Sequence, residues 1–140
     1  MLPQAQARGC AKVPPRREPG FDRGHRRRYP PAMPSASPLH LLLAAGPDAA
    51  GMGALLKQAQ AQAAAGRDVR VLLSAGGLRW AQADRRRALP PAADLAVCSQ
   101  DARAAGWSAE TTPAGVRWSS VATWLAEIDG ADEPLWIGLP

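Results

Sequence analysis

The sequence predicts an α/β fold, a mostly parallel sheet with helices on both faces, and three observations lead there. Apolar runs of strand length alternate with segments whose apolar residues recur at helical spacing, over about 100 residues from Leu39 onward. The first runs are continuously apolar, as strands covered on both faces are. They are also closed by Gly46-Pro47 and Gly76-Gly77, residues that turn a chain out of a sheet.

Taken in order, "LHLLLAAG" is the first strand. Met52, Leu55, Leu56, Ala59 and Ala63 then recur at i, i+3, i+4, i+7 and i+11, one face of a helix. Asp48 near its start suits the helix dipole, and Gly66 stands where a helix end takes a left-handed residue. "RDVRVLLSAGG" carries the second strand through Val69, Val71, Leu72 and Leu73. "LRWAQADRRRALPPAA" reads as a surface crossover with some helix, stopped by Pro90-Pro91. "DLAVC" is the third strand, and "SQDARAAG" a short helix capped by Ser99 and ended by Gly106. "GVRWSS" is a fourth, weaker strand. Val121, Trp124, Leu125 and Ile128 mark another helix, with Ser119 or Ser120 as N-cap and Gly130 as its stop. "EPLWIGLP" is the last strand. No internal repeat is visible.

Residues 1–38 differ in kind. They hold eight of the fourteen prolines, and eight Lys or Arg against Glu18 and Asp22, a net of +6. The other 102 residues carry nine basic against ten acidic groups, a net of −1, so the overall +5 belongs to the tail. This Pro- and Arg-rich segment has no apolar periodicity to offset its ordering entropy and is expected to be disordered, with residues 39–140 forming the domain. Its arginines followed by "LHLLLAAG" imitate a signal peptide, but the run is short, contains His40 and leads into an amphipathic helix. Met33 is an alternative start: a chain beginning "MPSASPLHLLLAAG" goes almost directly into the first strand, and residues 1–32 then lie upstream of the protein. No apolar run approaches the length of a membrane span. Nucleic acid is not an expected partner, because the domain is not basic and the run Arg85, Arg86, Arg87 lacks interleaved aromatics.

The chemistry-bearing residues are few. Cys10 and Cys98 make neither a disulfide framework nor a metal-ligand spacing, and only His25 and His40 accompany them, so no metal is expected. A reducing, cytoplasmic setting fits. In a parallel sheet the working site lies at the carboxyl ends of the strands. Three features stand there: the "GPDAAGMG" loop, Gly76-Gly77, and Cys98. The glycine loop lacks GxGxxG, GxxxxGK[ST] and any following lysine, so tight strand-to-helix packing explains it better than a phosphate. His40 falls at the opposite end of the first strand, on the order of 15 Å from that crevice, which removes a Cys-His nucleophile pair. Trp124 and Trp136 fit core positions. Trp80, Trp107 and Trp118 fall in or beside loops, where packing, a crevice wall or an oligomer interface would each use them.

Cys98 itself reads two ways. A cysteine closing an apolar strand is a small hydrophobe. A cysteine at a strand-to-helix junction meets unpaired amide groups that favour a thiolate, opposed by Asp101 and partly helped by Arg103.

The ordered set "LHLLLAAGP", "RDVRVLLSAGGLRWA", "DLAVCSQDARAAGW" and "GADEPLWIGL" resembles the DsrE/DsrF-like family of small sulfur-relay proteins over residues 39–138. The resemblance implies a three-layer α/β/α domain with a five-stranded sheet, assembled into homo- or hetero-oligomers. It implies that Cys98, at the place of the family's carrier cysteine, takes sulfane sulfur from a donor as a persulfide and passes it to an acceptor protein, with no cofactor. The alternative within the same fold is a non-catalytic subunit that binds a partner or small ligand, with Cys98 structural. The basic tail and the arginine-rich, proline-ended crossover depart from the family pattern.

Overall fold

The computed structural model describes residues 37–128 and 134–140. The expected disorder of the tail and the stop at Gly130 lie outside them. Five strands form one sheet: β1 (Leu39–Leu43), β2 (Val69–Leu73), β3 (Asp94–Cys98), β4 (Val116–Ser119) and β5 (Leu135–Gly138). Their order is β4-β3-β2-β1-β5, and every neighbouring pair is parallel. The connections are α1 (Met52–Ala64), two 3₁₀ segments (Ala75–Ala81 and Arg86–Ala88), α2 (Ser99–Ala104) and α3 (Val121–Ala126).

The layering follows from strand alternation. Leu39, Leu41, Leu43, Val69, Val71, Leu73, Leu95 and Val97 point to one face, where Met52, Leu56 and Ala59 of α1 and Ala102 of α2 cover them. Leu72 and Ala96 point to the other, under Trp124 of α3. From β1 to β4 the chain steps one way across the sheet, so right-handed crossovers stack on one face. Only the return from β4 to β5 crosses the other face, and α3 is therefore its one described helix. Each buried Leu contributes on the order of 2 kcal/mol relative to exposure, which makes the α1 face the main source of stability.

Several local expectations are met. Gly66 and Gly106 adopt left-handed conformations after α1 and α2 (φ 87° and 79°). Ser120 caps α3 by accepting the Thr123 N–H at 3.0 Å. Trp80, expected in a loop, is packed in the core, its indole N–H donating to the Ala45 carbonyl at 3.0 Å.

Other details differ for physical reasons. Cys98, not Ser99, occupies the cap position of α2, and no side chain caps that helix. Asp48 does not sit in the first turn of α1. That helix starts after Gly51 (φ 80°), and Asp48 pairs with Arg79 at 2.8 Å instead. The crossover is not wholly a surface segment, because Leu78, Trp80, Ala81 and Leu89 are buried against the sheet. Leu125 is 40% exposed on the outer side of α3. Together with Leu135, Ile137 and Leu139 it leaves large apolar side chains in solvent on α3 and the β5 edge.

His40 is fully buried on the α3 side of β1, its ring edge-on to Trp124 with centroids 5.4 Å apart. It is four sheet positions before the level of Cys98 and two strands away, about 16 Å from lattice spacings alone. Its role is core packing.

Candidate functional site

The site is built at the carboxyl ends of β1, β2 and β3. Strand β2 ends at Leu73, and the Ser74 N–H continues the pairing by donating to the Leu43 carbonyl at 3.0 Å. The chain then folds into its 3₁₀ segment directly against the end of β1. A side chain at Gly77 would overlap the Leu43 carbonyl oxygen, and one at Gly76 would press on the Gly46 amide at 3.2 Å. These glycines therefore serve close backbone packing.

Between them and β2 lies Ala75, the one non-glycine residue with positive φ (46°) among those described. That conformation costs a residue with a Cβ on the order of 1 kcal/mol, so something must hold it. Asp101 in the first turn of α2 does so. Its Oδ2 accepts the Ser74 hydroxyl at 2.5 Å and the Ala75 amide at 2.9 Å. The Ser74 hydroxyl and then the Ala75 amide hold the Asp101 carboxyl below its usual range, partial burial works the other way, and the Cys98 thiol adds a weaker third donor.

Cys98 closes β3 at this junction. It is a free thiol, 7% exposed, and belongs to neither of the two apolar clusters. Its place in the sheet is opposite Ser119 of β4. A groove of about 370 Å³ is lined by Ser99 and Arg103 of α2, Trp118 and Ser119 of β4 and Thr123 of α3, and Cys98 does not line it. Arg117 also lines it, its guanidinium bonded to Asp94 at 3.2 Å and Glu127 at 2.9 Å. Burial pulls the Arg117 pKa down, but the two carboxylates outweigh it and move it up. Arg103 lies over the Trp118 ring, 5.8 Å from its centroid, and the Trp118 N–H donates to Thr112 at 2.8 Å.

No family model matches the sequence, and no curated protein does. Among solved structures, the crystal structure of the ychN protein from E. coli is similar. The match has a TM-score of 0.53 at 14% identity, covering 71% of this chain and 98% of that one. That protein has a DsrE-like fold. The fold is shared.

The sequence placed Cys98, Asp101 and the glycine pair at the same end of the sheet, and the structure brings them together. It does not bring a histidine there. Ser74 and Ala75 were missed, since only the β2–β3 register sets Ser74 beside the first turn of α2. Trp107 and Trp118 are partly buried and pack against the core. Among the described residues, no three His, Cys, Asp or Glu side chains come together as metal ligands, and no helix is long and apolar enough to cross a membrane.

Proposed function

We propose that this chain is a DsrE-like sulfur carrier in which Cys98 holds sulfane sulfur as a persulfide. The observation that supports it is the position of Cys98: a free thiol at the carboxyl end of a parallel strand that is not at the sheet edge, at the junction with α2. Ligand sites of open parallel sheets lie at that end. The reaction needs no cofactor. The Cys98 sulfur attacks the outer sulfur of a donor persulfide R–S–SH, the donor's S–S bond breaks, and R–SH leaves as Cys98–S–SH forms. A thiol of the acceptor protein then attacks that outer sulfur and restores Cys98.

A partner-binding or ligand-binding subunit with an inert Cys98 is the second reading. It is favoured by the low exposure of the thiol, which closes an apolar strand as a small hydrophobe does. Both readings place the protein in an assembly, for which the apolar side chains on the β5 edge and α3 are the supporting feature.

The test is to incubate the reduced full-length chain with a protein or small-molecule persulfide and take intact masses, with Cys98→Ser alongside. The carrier reading expects one added sulfur on the wild type, removable by dithiothreitol, and none on the variant. A wild type that stays unmodified with an excess of donor rejects it and leaves the binding subunit.

A further inference from the structure

The outer edge of β5 is unprotected. Among the described strands β5 ends the sheet and pairs with β1 alone. The Pro134 and Gly138 carbonyls accept the His40 and Ala44 amides, each at 2.9 Å, so these positions turn their backbone groups inward. Directions alternate along a strand, and the N–H and C=O of Leu135 and Ile137 therefore point outward, where no described strand meets them. Such an edge is commonly blunted by a charge, or by a proline in place of an outward donor. β5 has neither. The segment from Leu135 to Pro140 carries no charge, and Pro134 and Pro140 fall in the inward phase. At the opposite edge, by contrast, β4 carries Arg117 in two ion pairs. The side chains of Leu135, Ile137 and Leu139 are all exposed as well.

We infer that β5 pairs antiparallel with β5 of a second copy, about a two-fold axis through Ile137, so that the two sheets continue as one. The strand is complementary to itself in this register. Ile137 meets Ile137, Leu135 meets Leu139, and Trp136 meets Gly138 across the axis. Each exposed apolar side chain gains an apolar cross-strand neighbour, and the large indole falls opposite the residue without a side chain. The Ile137 pair is also a hydrogen-bonded one, because its free backbone groups are the outward ones. Moving the axis one residue either way leaves Leu135 or Leu139 without a neighbour. The pairing supplies the occupant of the assembly surface invoked above, and rests on that assembly, not on the chemistry at Cys98. Antiparallel pairing sends the two carboxyl ends in opposite directions. Strand β3 lies three places inward from β5, so both Cys98 positions stay outside the interface.

The test is sedimentation equilibrium of the full chain across a wide concentration range. The wild type should dimerise. Ile137→Lys sets two ammonium groups opposite each other on the axis and should raise the dissociation constant about tenfold or more. Leu125→Lys, exposed on α3 above β2 and β3, should leave it unchanged. Unaltered circular dichroism verifies that both variants fold. In a second arm, in a Cys10→Ser background, Ile137→Cys is oxidised. Hydrogen-bonded pairs hold their Cα atoms about 5.5 Å apart, within disulfide reach, so a reducible dimer is expected, and none from Leu125→Cys. A monomeric wild type rejects the pairing and the assembly together. An assembly that survives Ile137→Lys, or that Leu125→Lys dissolves equally, overturns the edge pairing while the assembly stands. A dimer lost in Ile137→Lys but not cross-linked through Ile137→Cys overturns the axis at Ile137.

Discussion

Asp101→Asn is the substitution that best tests what holds the turn beside Cys98. The side chain keeps its shape and one acceptor oxygen, so Ser74 and Ala75 retain a partner, but the negative charge is removed. Hydrogen bonds to a charged acceptor contribute about 1.5 to 3 kcal/mol against about 1 kcal/mol for neutral ones, so the variant should lose about 1 kcal/mol, or several degrees in melting temperature. Ser74→Ala is the control. It deletes one bond but leaves the Ala75 amide on a full charge, and it should lose its pH-dependent part only in proportion to that bond. A melting temperature left unchanged by Asp101→Asn would refute the reasoning outright. A pH series gives an independent check. The Asp101 carboxyl is held below its unfolded value, so its contribution to stability is fully present above about pH 4 and lost as pH falls through the folded value. The melting difference between wild type and Ser74→Ala should accordingly shrink as pH drops below about 4.

Gly77→Ala places a methyl against the Leu43 carbonyl, which is fixed by its bond from Ser74, and should cost about 3 kcal/mol, or about 10 °C or more in melting temperature. Gly53→Ala, in α1 with open space around its Cα, should do the reverse and stabilise by about 0.5 kcal/mol; a shared sign for the two would show that local packing is misjudged. Arg117→Met removes the link from β3 and α3 to β4 and should cost about 1 kcal/mol at low salt and less at high salt, read by denaturant melts. Ile137→Glu, half-exposed on the β5 edge, should reduce the mass seen by sedimentation equilibrium; a wild type already monomeric at high concentration rejects the assembly.

What the sequence made legible was whatever repeats along the chain. Continuous apolar runs marked four of the strands, and helical spacing in "MGALLKQAQAQAA" marked α1, because both patterns reflect burial of a single element. The crossover after β2 was harder. Its apolar residues Leu78, Trp80, Ala81 and Leu89 follow neither period, since 3₁₀ turns held by neighbouring strands bury side chains irregularly. Leu125 shows the opposite error: a residue at helical spacing can lie outside the stripe when the helix has only six residues.

The site was legible only where one residue and its chain neighbours define it. Cys98 and Asp101 are three apart, so the chain alone places both at the start of α2. Ser74 and Ser119 come from neighbouring strands, and a parallel register has no local signature because the pairing residues are separated by a whole crossover. The same distinction decides how Cys98 should be weighed. As a strand residue it looks like filler, and 7% exposure agrees. Beside it, however, Asp101 holds the turn after β2 through Ser74 and Ala75. Ala75 keeps its positive φ only while that carboxylate accepts its amide, so Asp101 links the 3₁₀ turn to α2, and Asp101→Asn should loosen both together.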